Sequence, residues 1–123
     1  MPRGQYPRKK SAVCLRGHDT TAPKNASRTC RECSNIAKDR ERRYRVALLS
    51  VYKHAAGCAD CGYRAHAQAL QFDHVRGEKC FDISKNVKLR WASIEAEMAK
   101  CDVVCANCHA VRTASRLVAN APR

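Results

Sequence analysis

Two Cys-x-x-Cys pairs, Cys58/Cys61 and Cys105/Cys108, constrain this chain more than any other feature of it. Each pair presents two thiolates from one tight turn, and zinc takes four such ligands in a tetrahedron. Together the pairs make one closed structural site that ties two distant segments and supplies folding energy rather than chemistry. That help is needed, because a chain of 123 residues buries only a modest core. Of the other cysteines, Cys14, Cys30 and Cys33 join His18 in a second four-ligand set, Cys14-x-x-x-His18 with Cys30-x-x-Cys33. Cys80 and Cys101 are left over and read as buried or free thiols. Neither main pair sits in a βαβ pattern, which disfavours a thioredoxin-like dithiol. The N-terminus lacks the apolar run of a secretory signal, so a reducing, cytoplasmic location is expected, where short-spaced cysteines bind metal.

Charge narrows the partner. Twenty-four Lys and Arg against eleven Asp and Glu leave a net +13, which predicts a polyanion. Nucleic acid leads. An anionic membrane surface ranks second, but the basic segments lack the bulky apolar face of an interfacial helix. No stretch of about 18 apolar residues is present, so no membrane span is expected.

The chain divides into five expected parts. Residues 1–12 read as a flexible basic arm and 13–34 as an N-terminal zinc module. Residues 35–56 read as a linking helix capped by Ser34 and stopped at Gly57, with Ile36, Arg40, Tyr44, Ala47, Leu48, Val51, Tyr52 and Ala55 on one face. Residues 57–119 form the main core, and 120–123 a tail. Within that core, 69–74 alternates as a short strand with Leu70 and Phe72 inward. A short helix follows at 93–100, with Trp91, Ile94 and Met98 on its buried side, then a second strand at 102–105. A closing helix runs from Ala106 to about Ala119, counting Val111 and Leu117 among its apolar positions and leaving Arg112 and Arg116 to solvent.

Asp73-His74 and His109 carry the candidate chemistry. A carboxylate and an imidazole, Asp73 and His109, suffice to hold one divalent cation such as Mg²⁺ or Mn²⁺. His74 beside them can take a proton from water, since an imidazole with a pKa of about 6.5 suits that task near neutrality. Asp73 and His74 point to opposite faces of a regular strand, so the chain is expected to bend there. Each residue alone reads more simply as a strand-end or helix-cap group; the three within a zinc-stapled, basic frame point to phosphodiester hydrolysis.

Leu70-Gln71-Phe72-Asp73-His74-Val75-Arg76-Gly77-Glu78-Lys79 and Lys100-Cys101-Asp102-Val103-Val104-Cys105-Ala106-Asn107-Cys108-His109 resemble, in order, the two defining segments of the HNH endonuclease family. Cys58-x-x-Cys61 precedes them as in its zinc-bearing branch. The Cys14-to-Cys33 segment is similar to the N-terminal zinc module of phage-type members, whose location would be the host cytoplasm. The resemblance spans about residues 14–115. It implies a small α+β, metal-stabilised fold with a ββα-metal (His-Me finger) core: strand, long loop, strand, helix. It further implies His74 as general base, Asp73 and His109 as ligands of the catalytic ion, and a product with 5′-phosphate and 3′-hydroxyl ends. Lys100 stands where the family usually has its middle Asn; Asn107 is the nearest asparagine and the remaining catalytic candidate.

DNA contact is expected mostly through phosphates, from Arg40, Arg42, Arg43, Arg45, Arg112 and Arg116, with a monomer as the simplest state. No base-reading helix is evident, so little sequence specificity is expected. The alternative function is a zinc-stabilised nucleic-acid-binding regulator without activity, which has no need for a third, exchangeable metal site. A redox or zinc-storage protein would leave the positive charge unexplained.

Overall fold

The computed structural model describes residues 13–20 and 30–122. The expected basic arm, residues 21–29 of the first zinc module and Arg123 lie outside them. The chain forms two compact units, 1–41 and 42–123. Helix α1 (Arg31–Ala56) begins in the first and continues into the second.

In the second unit, α1 stops at Gly57, whose φ of +66° favours glycine and whose N–H bonds Lys53 O at 2.9 Å. Strand β1 (Leu70–His74) pairs antiparallel with β2 (Cys101–Cys105), in register from Leu70↔Cys105 to His74↔Cys101. Between them run a 3₁₀ turn at Ile83–Lys85 and helix α2 (Trp91–Met98). Helix α3 (Ala106–Ala119) follows β2 without a break, because Cys105 is both the strand's last residue and the helix N-cap. The result is small and α+β, two strands and a closing helix, as the hydrophobic pattern predicts.

Two apolar clusters hold the sheet. Leu70, Val103 and Val104 pack with Cys58 and Cys105, while Leu49, Ile83, Val87, Ile94, Met98 and Cys101 form the other. Phe72 packs against both, so one ring couples the zinc-side cluster to the helix-side cluster.

Several expectations need correction. Helix α1 starts at Arg31, not after Ser34, so the Cys30-x-x-Cys33 pair forms its first turn. Its docked face is also rotated. Leu49 is the only buried residue of α1, while Ile36, Tyr44 and Val51 are exposed. Tyr52 is partly exposed yet stacks on Phe72 at 6.0 Å, and Lys53 Nζ lies 5.1 Å from the same ring. Burial of its stem pushes the Lys53 amine below its ordinary value. Val111 and Leu117 are exposed, and α3 buries no residue fully. No bend occurs at Asp73-His74; both stay in the regular ladder opposite Asp102 and Cys101. Among the described residues no helix is long and apolar enough to cross a membrane.

Ile94 has no exposed surface. Ile94→Ala should therefore lower the unfolding free energy of the zinc-loaded protein by about 2–5 kcal/mol in a denaturant titration, with little change in zinc content.

Candidate metal and cleft sites

The Cys58-to-Cys61 turn is built by Gly62 N–H on Cys58 O (2.8 Å), with Gly62 at φ +77°, and by Cys58 N–H on Tyr63 O (2.8 Å). Ala59 N–H reaches Val103 O at 2.8 Å, so the turn hangs directly on β2. From the other side, Cys108 N–H points at Cys105 Sγ, 3.4 Å away. The four ligand atoms of Cys58, Cys61, Cys105 and Cys108 lie within 4.8 Å of one another, and Cys61 and Cys105 sulfurs are 3.8 Å apart. Tetrahedral zinc with Zn–S bonds of about 2.3 Å requires sulfur separations of about 3.8 Å. Burial raises the Cys58 thiol, but hydrogen bonding from the backbone of Cys105, Cys61 and Asp60 outweighs it and brings the group down to about 6. Its neighbour Cys108 is pushed up, first by Cys105 and then by burial. Four thiolates in so small a volume call for a cation, and a tetrahedral sulfur set of this size could hold Zn²⁺.

In the first unit, Cys14, His18, Cys30 and Cys33 form the same kind of group. Cys14 N–H bonds His18 O and Gly17 N–H bonds Cys14 O, both at 2.8 Å, closing a tight loop. His18 Nδ1 lies 3.4 Å from Cys14 Sγ and 3.2 Å from Cys33 Sγ. Three sulfurs and an imidazole at these distances also fit tetrahedral zinc. None of the nine cysteines is in a disulfide; Cys80 is exposed and Cys101 buried, outside both groups.

Strand alternation sends Asp73 and His74 to different partners. Asp73 is 3% exposed and lies beneath α3. Arg116 grips it with Nη1 on Oδ1 (2.8 Å) and Nη2 on Oδ2 (2.7 Å), while Arg112 Nη1 reaches Oδ2 at 2.9 Å. Arg112 also bridges to Asp60 through two bonds of 2.7 Å and to Asp102 at 3.2 Å. The Arg116 guanidinium, against the cost of burial and with Arg112 helping, holds the Asp73 carboxyl down at about 2. Arg112 and Arg116 are therefore not simply open to solvent as expected from the sequence. They fasten α3 to the Cys58 turn and to both strands.

His109 occupies the next position beyond Cys108. Its Nε2 is 3.5 Å from Asp73 Oδ1, and its Nδ1 is hydrogen-bonded to Gln71 Oε1. Asp73 and His109 thus stand side by side, an oxygen and a nitrogen donor suited to a divalent cation, but Arg116 and Arg112 already occupy both carboxylate oxygens. Arg116, which holds both oxygens, is itself half-exposed.

His74 faces α2, with Nε2 2.8 Å from Glu97 Oε1. His74 and His109 line one open cleft of about 490 Å³ together with Gln71, Phe72, Asp82 and Lys85. Asn107 is not brought there; it lines a separate hollow beside Cys61, Cys105 and Cys108. Of the phosphate-binding candidates, Arg40, Arg42 and Arg43 lie on the exposed part of α1. Arg45 does not; its guanidinium donates to Val87 O at 2.9 Å and to Leu89 O, tying α1 to the loop before α2.

Glu97, Asp60 and Asp102 are partners of these residues that no motif in the sequence marks. Glu97 had a usable signal, since it follows Ile94 by three residues on the face that already carries Ile94 and Met98. No protein-family model, curated protein or solved structure matches the chain.

Elemental analysis should find two zinc ions per chain. Removing them with a strong chelator should abolish cooperative unfolding of residues 42–123, because thiolate ligation and folding of this small core are linked. A chelated protein that keeps its cooperative transition would show that the apolar clusters suffice alone.

Proposed function

We propose that this chain is a metal-dependent DNA endonuclease with an HNH-type ββα-metal core, stabilised by two structural zinc ions. The observation that carries the reading is the convergence of His74 and His109 on one cleft, with Asp73 beside His109, although His109 lies about 35 residues from the adjacent pair Asp73-His74. The strand–connection–strand–helix order supports it, as does a four-cysteine group at the root of α3 that could hold a structural zinc ion.

In this reading His74 takes a proton from the attacking water, which needs an imidazole held neutral and oriented. Asp73 and His109 are the residues that would hold the divalent ion, which when bound would supply charge neutralisation at the phosphoryl oxygens. Lys85, which lines the cleft, and the exposed Arg42 and Arg43 of the same unit are the cations this reading assigns to phosphate contact. Arg116, now on Asp73, could pair instead with an incoming phosphate, which would leave Oδ1 free for the divalent ion. The second reading, a zinc-stabilised regulator that binds nucleic acid without cutting it, is favoured by one observation: the Asp73 carboxylate is already neutralised by arginine.

Supercoiled plasmid incubated with the protein separates the two. Nicking is expected with Mg²⁺ or Mn²⁺, none in EDTA, and a loss of at least about 100-fold in His74→Ala with both zinc ions retained. Binding without nicking in every metal would favour the regulator. Affinity should also fall steeply with salt, by about three to five decades between 50 and 200 mM if six to ten phosphates are contacted.

A further inference from the structure

Glu97 is the one buried carboxylate of the described residues besides Asp73, and the proposed chemistry does not call on it. It is 2% exposed within α2, an expensive place for an ionisable group unless donors surround it. Three do. Oε1 accepts from the Cys80 backbone N–H (2.9 Å) and lies 2.8 Å from His74 Nε2, while Oε2 accepts from Lys100 Nζ (2.8 Å). Lys100 is fixed in turn. Its Nζ reaches Glu78 O at 2.8 Å, and its carbonyl accepts from the N–H groups of Val75 and Arg76. This is the residue at which the chain departs from the HNH pattern. It is not among the residues lining the cleft; it braces Glu97 and the segment leaving β1 instead.

We propose that Glu97, braced by Lys100, is a positioning residue that fixes the ring orientation and tautomer of His74. Nε2–H is donated to the buried carboxylate, and Nδ1 is left as the ring's proton acceptor. The inference rests on the reading of His74 as the base and names what prepares it. Donors and acceptors around Glu97 fix the assignment. The Lys100 ammonium, against the cost of burial and with the Cys80 N–H and His74 adding to it, keeps the Glu97 carboxyl ionised, with a pKa of about 2. An ionised carboxylate can only accept. The ring nitrogen 2.8 Å from it must therefore carry the hydrogen, and in a neutral imidazole the other nitrogen is then bare. A carboxylate behind a catalytic imidazole does the same in other hydrolases, where it sets tautomer and orientation without itself taking the proton. If Glu97 served only to anchor the loop, Cys80 and Lys100 would satisfy it, and His74 would be free of it.

The test has two arms, both on the full-length, zinc-loaded protein. Long-range ¹H–¹⁵N correlation spectra of ¹⁵N-histidine-labelled protein, recorded at a pH where the rings are neutral, report the His74 tautomer directly. The expected result is the Nε2–H form in the parent and a mixed or reversed form in Glu97→Gln, whose amide can donate as well as accept. In the plasmid assay Glu97→Gln should lower kcat about 10- to 100-fold with KM little changed. An Nδ1–H ring in the parent, or a Glu97→Gln protein that nicks with the parent's kcat, overturns the proposal. The parent spectrum needs no substitution, so it decides the tautomer even if Glu97→Gln fails to fold. Should the parent nick no DNA in any metal, the nuclease reading fails by itself, and the spectrum still decides whether Glu97 sets the ring.

Discussion

Four sulfurs closing on one point organise the larger unit of this protein. Cys105 ends β2 and caps α3, so the ligand cluster that includes it sets the angle at which the helix leaves the sheet. Cys58 and Cys61 bring in the turn after α1, and the Ala59 N–H then binds that turn to β2. Few large apolar side chains are fully buried, so a metal crosslink at these cysteines would add what a core of this size lacks. The arginine–carboxylate cluster of Asp60, Asp73, Asp102, Arg112 and Arg116 repeats the same connections with charge, joining turn, strands and helix a second time.

The cleft inherits its geometry from that frame. His109 follows Cys108 directly, so fixing the zinc turn fixes where its imidazole begins. Strand alternation then divides the neighbouring pair. Asp73 goes to the arginines of α3, and His74 goes to Glu97 of α2. One strand therefore serves two supports, a cationic one for its carboxylate and an anionic one for its imidazole. This opposition suits the proposed chemistry, because a base needs a carboxylate behind it, while a carboxylate that exchanges arginine for a metal ion stays protected until its substrate arrives.

Much of this was legible in the sequence, and the failures share a cause. Both four-ligand groups, both strands, α2 within two residues and the span of α3 follow from cysteine spacing, alternation and helical period. The start of α1 did not, because Ser34 is a good cap residue while the tight turn from Cys30 to Cys33 is itself compatible with a helical first turn. The docked face of α1 was misplaced because its apolar residues, Tyr44, Val51 and Tyr52 among them, outnumber the positions that reach the core. Arg45, expected on DNA phosphates, and Arg112 and Arg116, expected to face solvent, elude the sequence, because no rule tells a guanidinium facing water from one facing a carbonyl or a carboxylate. Glu97 was passed over for the same reason in mirror image: a charged residue on a buried face shows its purpose only once its donors are in view.

The account's central claim is that three distinct metal positions exist, two structural and one exchangeable. Crystals soaked in Mn²⁺ and measured at the zinc and manganese absorption edges test it most directly. The account predicts zinc signal at both cysteine-rich groups and manganese signal between the Asp73 carboxylate and the His109 imidazole, with the Arg116 side chain turned away. Zinc alone, with Arg116 still seated on Asp73 in saturating Mn²⁺, would contradict it.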